Sequence, residues 1–210
     1  MIVLQLAILV FSIVAHEVAH GYVAYLRGDD TAYLMGRLTL NPIKHIDPVG
    51  SIIVPAVCYF TGMPVIFGWA KPVPINPTRM DKPRADIGKT ALAGPVTNFT
   101  LAVICAAAMK IYTLFAVPTE TSALFMALGY GVMLNLVLCV LNLIPIPPLD
   151  GSKVLFSVLP YNLADRYIRL SDRLGTAVVF AFIFLGGARF VLFPIVDFLT
   201  KLLMLIFQVK

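Results

Sequence analysis

Residues 1–26 read MIVLQLAILVFSIVAHEVAHGYVAYL, an apolar run that carries His16, Glu17 and His20. On a helix, positions i and i+4 share a face, so both imidazoles can meet one metal ion with Glu17 beside it. The chain holds three histidines and two glutamates, and this pentad takes two of the former and one of the latter. Ionisable groups inside a membrane span are costly and mark a site. The run reads as a transmembrane helix with a zinc centre at membrane depth.

Composition extends that reading outward. The 210 residues are 60% hydrophobic and 13% charged, against about 25% charged in a soluble domain. Further apolar runs lie near 90–116, 123–144 and 174–193, and a shorter one near 195–208 contains Asp197 and Lys201. A hydrocarbon core of about 30 Å needs roughly 20 helical residues. The stretch 46–67 is interrupted by Pro48, Gly50, Pro55, Gly62 and Pro64, so it is expected to re-enter rather than cross. Val65 to Pro74 mixes β-forming residues with prolines, which suits a short edge strand or an interfacial loop anchored by Trp69. The expected fold is an all-α polytopic membrane protein: one domain over 1–210, with a three-helix catalytic core in about 1–160. A re-entrant or short β segment and one or two C-terminal helices within about 174–208 complete it.

The first run has no basic start and no small-residue cleavage site, so it is read as retained and not as a signal peptide. Net charge is +5, and the basic residues flank spans, a topology signal rather than a nucleic-acid footprint. Cys58, Cys105 and Cys139 stand alone in apolar segments and read as small hydrophobes.

Charge also orients the chain. If 46–67 does not cross, residues 27–89 and 145–173 share one side with twelve Lys and Arg, and the 117–122 turn opposite has none. If it crosses, the split is nine to three. The positive-inside rule favours the first arrangement, with the long loops cytoplasmic. His20 and His16 then lie roughly 9–15 Å below the cytoplasmic exit of the first helix. Asp150, which follows the 123–144 run, emerges on the same side at similar depth.

A catalytic zinc takes about three protein ligands and keeps one position open. The HEVAH pentad supplies two. Asp150 is the candidate third, within Asn142-Leu-Ile-Pro-Ile-Pro-Pro-Leu-Asp150-Gly151, where three prolines break the helix as expected beside a cavity. Gly151 lets the chain turn closely. Asn98 follows Ala93-Gly94-Pro95-Val96-Thr97 inside an apolar run, with Pro95 expected near the first helical turn. Asn98 and Asn142 are candidates to hold substrate or steady an oxyanion. Interhelical hydrogen bonding is the alternative for each. His45 is assigned a structural hydrogen bond or an interfacial role, and Arg166, Arg169 and Arg173 a basic membrane-surface stripe.

Together, HEVAH in one span, Gly-Pro-x-x-Asn from Gly94 to Asn98, and Asn142-x-x-Pro-x-Pro-x-x-Asp150-Gly151 resemble the site-2 protease family of intramembrane zinc metalloproteases. The resemblance covers roughly residues 1–160, and the three elements occur in the family's order. It implies zinc ligation by His16, His20 and Asp150, a general base at Glu17, and substrate binding or transition-state stabilisation at Asn142. The 210 residues contain nothing resembling a PDZ or CBS domain and match the compact bacterial or archaeal form. The last 50 residues resemble the family only in being hydrophobic.

The implied activity is hydrolysis of peptide bonds in or near transmembrane segments of membrane-protein substrates, as in regulated intramembrane proteolysis. One Zn²⁺ per protomer, a lipid bilayer and a transmembrane protein substrate are the implied cofactor and partners. Nucleic acid is not among them. The implied location is a bacterial or archaeal cell membrane, with the site toward the cytoplasm. A protease of prenylated tails would need another ligand motif. A non-proteolytic metal-binding protein or transporter would need more polar residues along several spans.

Overall fold

The computed structural model describes residues 2–60, 70–115 and 122–209. Helix α1 covers Ile2–Leu26. It ends where Gly28 takes a φ of 95° and its N–H returns to the Tyr25 carbonyl at 3.1 Å. A Cβ on Gly28 would lie 2.9 Å from the Arg79 carbonyl oxygen, so glycine answers both the left-handed turn and the close approach. A one-turn helix α2, Thr31–Leu34, follows.

Pro48–Ile53 forms a π-helical turn that leads into α3, Val54–Phe60. At 1.5 Å per residue these two pieces reach roughly 20 Å, and residues 61–67 of the stretch expected to re-enter lie outside the described residues. The part of the expected edge strand at 65–69 lies outside the described residues. Residues 70–76 form neither helix nor strand, with Pro72 and Pro74 restricting Lys71 and Val73 to extended backbone and Asn76 extended as well; there is no strand among the described residues.

Helix α4, Pro83–Phe115, starts seven residues before the apolar run. Pro83 sits at the first helical position, where its missing N–H costs nothing, and Asp86 Oδ2 accepts from the Lys82 N–H at 2.9 Å. Pro95 therefore lies well inside the helix instead of in its first turn. Hydropathy began the span at residue 90 because Arg84, Asp86 and Lys89 precede it; the backbone signals begin it at Pro83.

Helix α5, Ala123–Leu143, is capped by Ser122 and stops before Pro145. Helices α1, α4 and α5 are each long and apolar enough to cross a membrane, and each contacts the other two. The protein is an integral membrane protein. Small residues set the packing: Ala102 and Ala106 are fully buried, and a Cβ on Gly131 would meet Cys105 Sγ at 2.8 Å. Without a hydrophobic drive between lipid-solvated helices, such close backbone approach supplies the dispersion contacts.

Helices α6, Asp150–Val158, α7, Tyr161–Phe184, and α8, Phe193–Ile206, complete the chain. The apolar run at 174–193 is not one helix. Gly186 at φ 86° ends it, and a π-helical turn at Ala188–Leu192 redirects it into α8. Leu192, Val196 and Leu203 then pack with Val132 and Leu136 against α4.

Candidate metal centre

His16 and His20 lie one turn apart on α1 and both are buried, at 8% and 6% exposure. Asp150, the first residue of α6, is 6% exposed. It arrives because the prolines at 145, 147 and 148 end α5 and the chain restarts as a helix against it. A Cβ on Gly151 would lie 2.2 Å from the Leu143 carbonyl oxygen. Gly151 thus admits the backbone of α5, and that contact sets where Asp150 points.

The three side chains converge. His16 Nε2 is 3.0 Å from His20 Nε2, and Asp150 Oδ2 is 3.2 Å and 3.1 Å from them. The outer nitrogens are already used. His20 Nδ1 donates to the Thr90 carbonyl at 2.7 Å, and His16 Nδ1 is 2.6 Å from Asn98 Oδ1. With Nδ1 carrying the proton, each Nε2 presents a lone pair. Two neutral imidazole lone pairs and a carboxylate facing one another at hydrogen-bond distance repel unless a cation lies among them. Tetrahedral zinc ligands at about 2.0–2.1 Å stand roughly 3.3–3.4 Å apart, close to this spacing. The donor set fits Zn²⁺.

Burial pushes the Asp150 carboxyl up in pKa and the nearby Lys153 ammonium pushes it down. With both Nε2 atoms unprotonated, a cation held among the three groups is what would keep the carboxylate ionised there. Lys153 Nζ lies 3.3 Å from Asp150 Oδ1, the oxygen turned away from the histidines.

Glu17 is half-buried and outside the ligand cluster. Its Oε2 accepts the Val73 N–H at 2.9 Å. Val73 belongs to the extended segment 70–76, which is pinned at several points. Lys71 N donates to the His45 carbonyl at 2.9 Å and Asn76 N to Asp29 Oδ2 at 2.6 Å. The buried Arg37 holds the Lys71 and Pro72 carbonyls at 2.8 Å and 3.3 Å. His45 also donates Nε2 to the Thr39 carbonyl at 2.8 Å, the structural role its sequence context suggested. A cavity of about 770 Å³ adjoins His20, with Val73, Thr90, Pro147, Lys153 and Tyr167 on its walls.

The asparagines are placed differently. Asn98 is fully buried against His16. Asn142 is half-buried, and its Nδ2 donates to the Leu138 carbonyl, one turn back on α5, at 3.0 Å. Thr90 and Asn135 were not singled out by sequence, and Gly94 was noted only as the start of the Gly-Pro-x-x-Asn element. A backbone carbonyl leaves no trace in residue type, and an asparagine in an apolar helix was the one available signal for Asn135.

The arrangement, set between spanning helices, defines a membrane-embedded metalloprotease. The comparisons agree. The model of peptidase family M50 matches residues 109–186. YwhC of Bacillus subtilis strain 168, a candidate zinc metalloprotease by name, is 36% identical over 207 residues, covering 95% of this chain and 90% of its own. Rip2 of Mycobacterium tuberculosis, named in the same way, is 33% identical over 144 residues; that match takes in 69% of this chain and 52% of Rip2. No solved structure matches. The chain belongs to peptidase family M50, the site-2 protease family, whose metal is Zn²⁺.

Proposed function

We propose that this metalloprotease cleaves peptide bonds in or beside transmembrane segments of membrane-protein substrates, as regulated intramembrane proteolysis requires. The observation that carries the reading is the position of the ligand cluster. His20 and His16 lie six and ten residues before the end of α1 at Leu26, so the site sits roughly 9–15 Å inside that helix end. The positive-inside rule supports an orientation with that end toward the cytoplasm, and we take the membrane to be a bacterial or archaeal cell membrane. A peptide bond attacked there comes from a membrane-embedded or juxtamembrane segment. We take the chain as one membrane-embedded domain.

His16, His20 and Asp150 would hold one Zn²⁺, which when bound supplies Lewis acidity to a water molecule and a substrate carbonyl. Glu17 is the general base. It takes the water proton and passes it to the leaving amine, so the carbonyl carbon gains hydroxyl as the C–N bond breaks. The Val73 N–H keeps Oε2 of Glu17 oriented. Asn142 lies at the end of α5 on the approach to Asp150, where rotation of its amide would bring it to substrate.

The substrate must be extended locally, since helical carbonyls are screened by their own hydrogen bonds. In the segment 70–76 the N–H groups of Lys71 and Val73 are occupied by His45 and Glu17. Pro72 and Pro74 have none to give. Strand addition to this segment uses its carbonyl acceptors, of which Arg37 already holds those of Lys71 and Pro72.

The test is Glu17→Gln in purified protein with a tagged single-span substrate in lipid vesicles. Zinc content should be unchanged and cleavage lost. Cleavage at the normal rate would remove Glu17 as the base, and cleavage only of soluble peptides would remove the intramembrane reading.

A further inference from the structure

Asn98 and Asn135 join three spanning helices at one point. Asn98 on α4 is 0% exposed and Asn135 on α5 is 1% exposed. Asn135 Nδ2 donates to the Gly131 carbonyl at 2.9 Å. Asn98 Nδ2 donates to Asn135 Oδ1 at 2.9 Å and to the Ser12 carbonyl on α1 at 3.4 Å. Asn98 Oδ1 faces His16 Nδ1 at 2.6 Å.

The direction of this chain of hydrogen bonds is fixed from one end. An amide can flip its oxygen and nitrogen, and an imidazole can exchange tautomers, so each link alone is ambiguous. A backbone carbonyl only accepts. The Gly131 carbonyl therefore demands the Asn135 NH₂, which turns the Asn135 oxygen toward Asn98. That oxygen demands the Asn98 NH₂, and the Ser12 carbonyl demands it again. The Asn98 oxygen is left facing His16, whose Nδ1 must carry the proton. Its Nε2 then has its lone pair directed at His20 Nε2 and Asp150 Oδ2.

We infer that Asn98 and Asn135 are positioning residues that set the tautomer and ring orientation of His16 for zinc, relaying hydrogen-bond polarity from the backbone of α5 to the metal site on α1. The inference rests on the zinc reading of the cluster. It gives Asn98 a task that needs no contact with substrate, and it brings in Asn135, seven residues before Asn142 and fifteen before Asp150. The alternative is that the pair only holds helices together, a common use of asparagine in membranes.

The experiment measures the zinc dissociation constant of the full chain in detergent by chelator competition. Asn135→Leu keeps the branched heavy-atom shape and removes the acceptor that orients Asn98. It should weaken zinc binding about tenfold or more, the scale of outer-shell changes at metal sites. Asn98→Asp presents two equivalent oxygens, so either can accept from His16 and no orientation is needed. In that background Asn135→Leu should change zinc affinity by less than about twofold, a full loss of coupling. Asn98→Leu should weaken zinc where Asn98→Asp does not, and this pair decides the matter even if the Asn135 variants fail to fold. Equal losses from Asn135→Leu in both backgrounds, or no loss in the natural one, would overturn the relay and leave helix assembly. Asp150→Ala separates the two readings: if it loses zinc while Asn135→Leu does not, the relay alone falls. If it keeps zinc, the metal site falls and the relay with it.

Discussion

Gly94 and His20 approach so closely that no side chain fits between them. A Cβ on Gly94 would lie 2.5 Å from His20 Nε2 and 2.6 Å from His16 Nε2. The atoms struck are the far ends of two side chains, so the imidazoles would give way and the backbone of α4 would not. Alanine favours a helix interior over glycine by about 1 kcal/mol. Gly94→Ala is thus expected to fold with an unchanged or higher melting temperature and to lose about tenfold or more in zinc affinity. Zinc content and thermal unfolding measured on one preparation check it. A variant with unchanged affinity would take Gly94 out of the site.

Asp150 and Glu17 are expected to separate metal binding from chemistry. Asp150→Asn keeps the shape of the side chain and removes the proposed anionic ligand from a buried cluster. Its loss of zinc affinity should exceed the roughly 10–100-fold of an outer-shell change, and activity should fall with it. Elemental analysis of Asp150→Asn beside Glu17→Gln reads the contrast, zinc lost in one and kept in the other. Equal zinc in both would break the assignment of Asp150 as a ligand.

What was legible in the sequence follows from chemistry that restricts residue type. His16, His20 and Asp150 could be singled out because few side chains bind zinc and only one helical spacing brings two of them together. The three spanning helices were visible because a bilayer demands long apolar runs. Backbone effects left weaker marks. The Thr90 carbonyl that orients His20 could have come from any residue type. The break at Gly186 hid inside an apolar run, although the Gly186–Gly187 pair was its one visible sign. The start of α4 was set by Pro83 and Asp86, which hydropathy does not weigh. Gly151 was noted for a tight turn, and its contact with the Leu143 carbonyl needed the packed helices to appear.

Lys153 is expected to matter little to the metal. Its ammonium reaches Asp150 Oδ1 at 3.3 Å, but its side chain is 49% exposed. Solvent screens such a pair, and exposed ion pairs contribute about 0–1 kcal/mol. Lys153→Met should therefore change zinc affinity by less than about fivefold, the equivalent of that range. Because Lys153 also lines the cavity beside His20, its substitution is expected to act on KM. A loss of zinc well beyond that range would make Lys153 part of the metal site.

Val73 links the segment 70–76 to Glu17, the proposed base. Its N–H donates to Glu17 Oε2 at 2.9 Å, and Val73→Pro removes that donor while the flanking prolines already hold the chain extended. Hydrogen bonds to charged groups contribute about 1.5–3 kcal/mol, so kcat should fall roughly 10–100-fold with zinc content unchanged. Arg37→Met offers an independent route to the same result. It leaves Val73 intact but releases the Lys71 and Pro72 carbonyls that Arg37 holds, loosening the segment that carries the donor. Both variants are expected to lower kcat more than they raise KM, read from initial rates on one membrane substrate. If Val73→Pro cleaves at the normal rate, Glu17 takes its orientation from another group. A normal rate in Arg37→Met alone would show that the contacts of Lys71 with His45 and of Asn76 with Asp29 suffice to hold the segment.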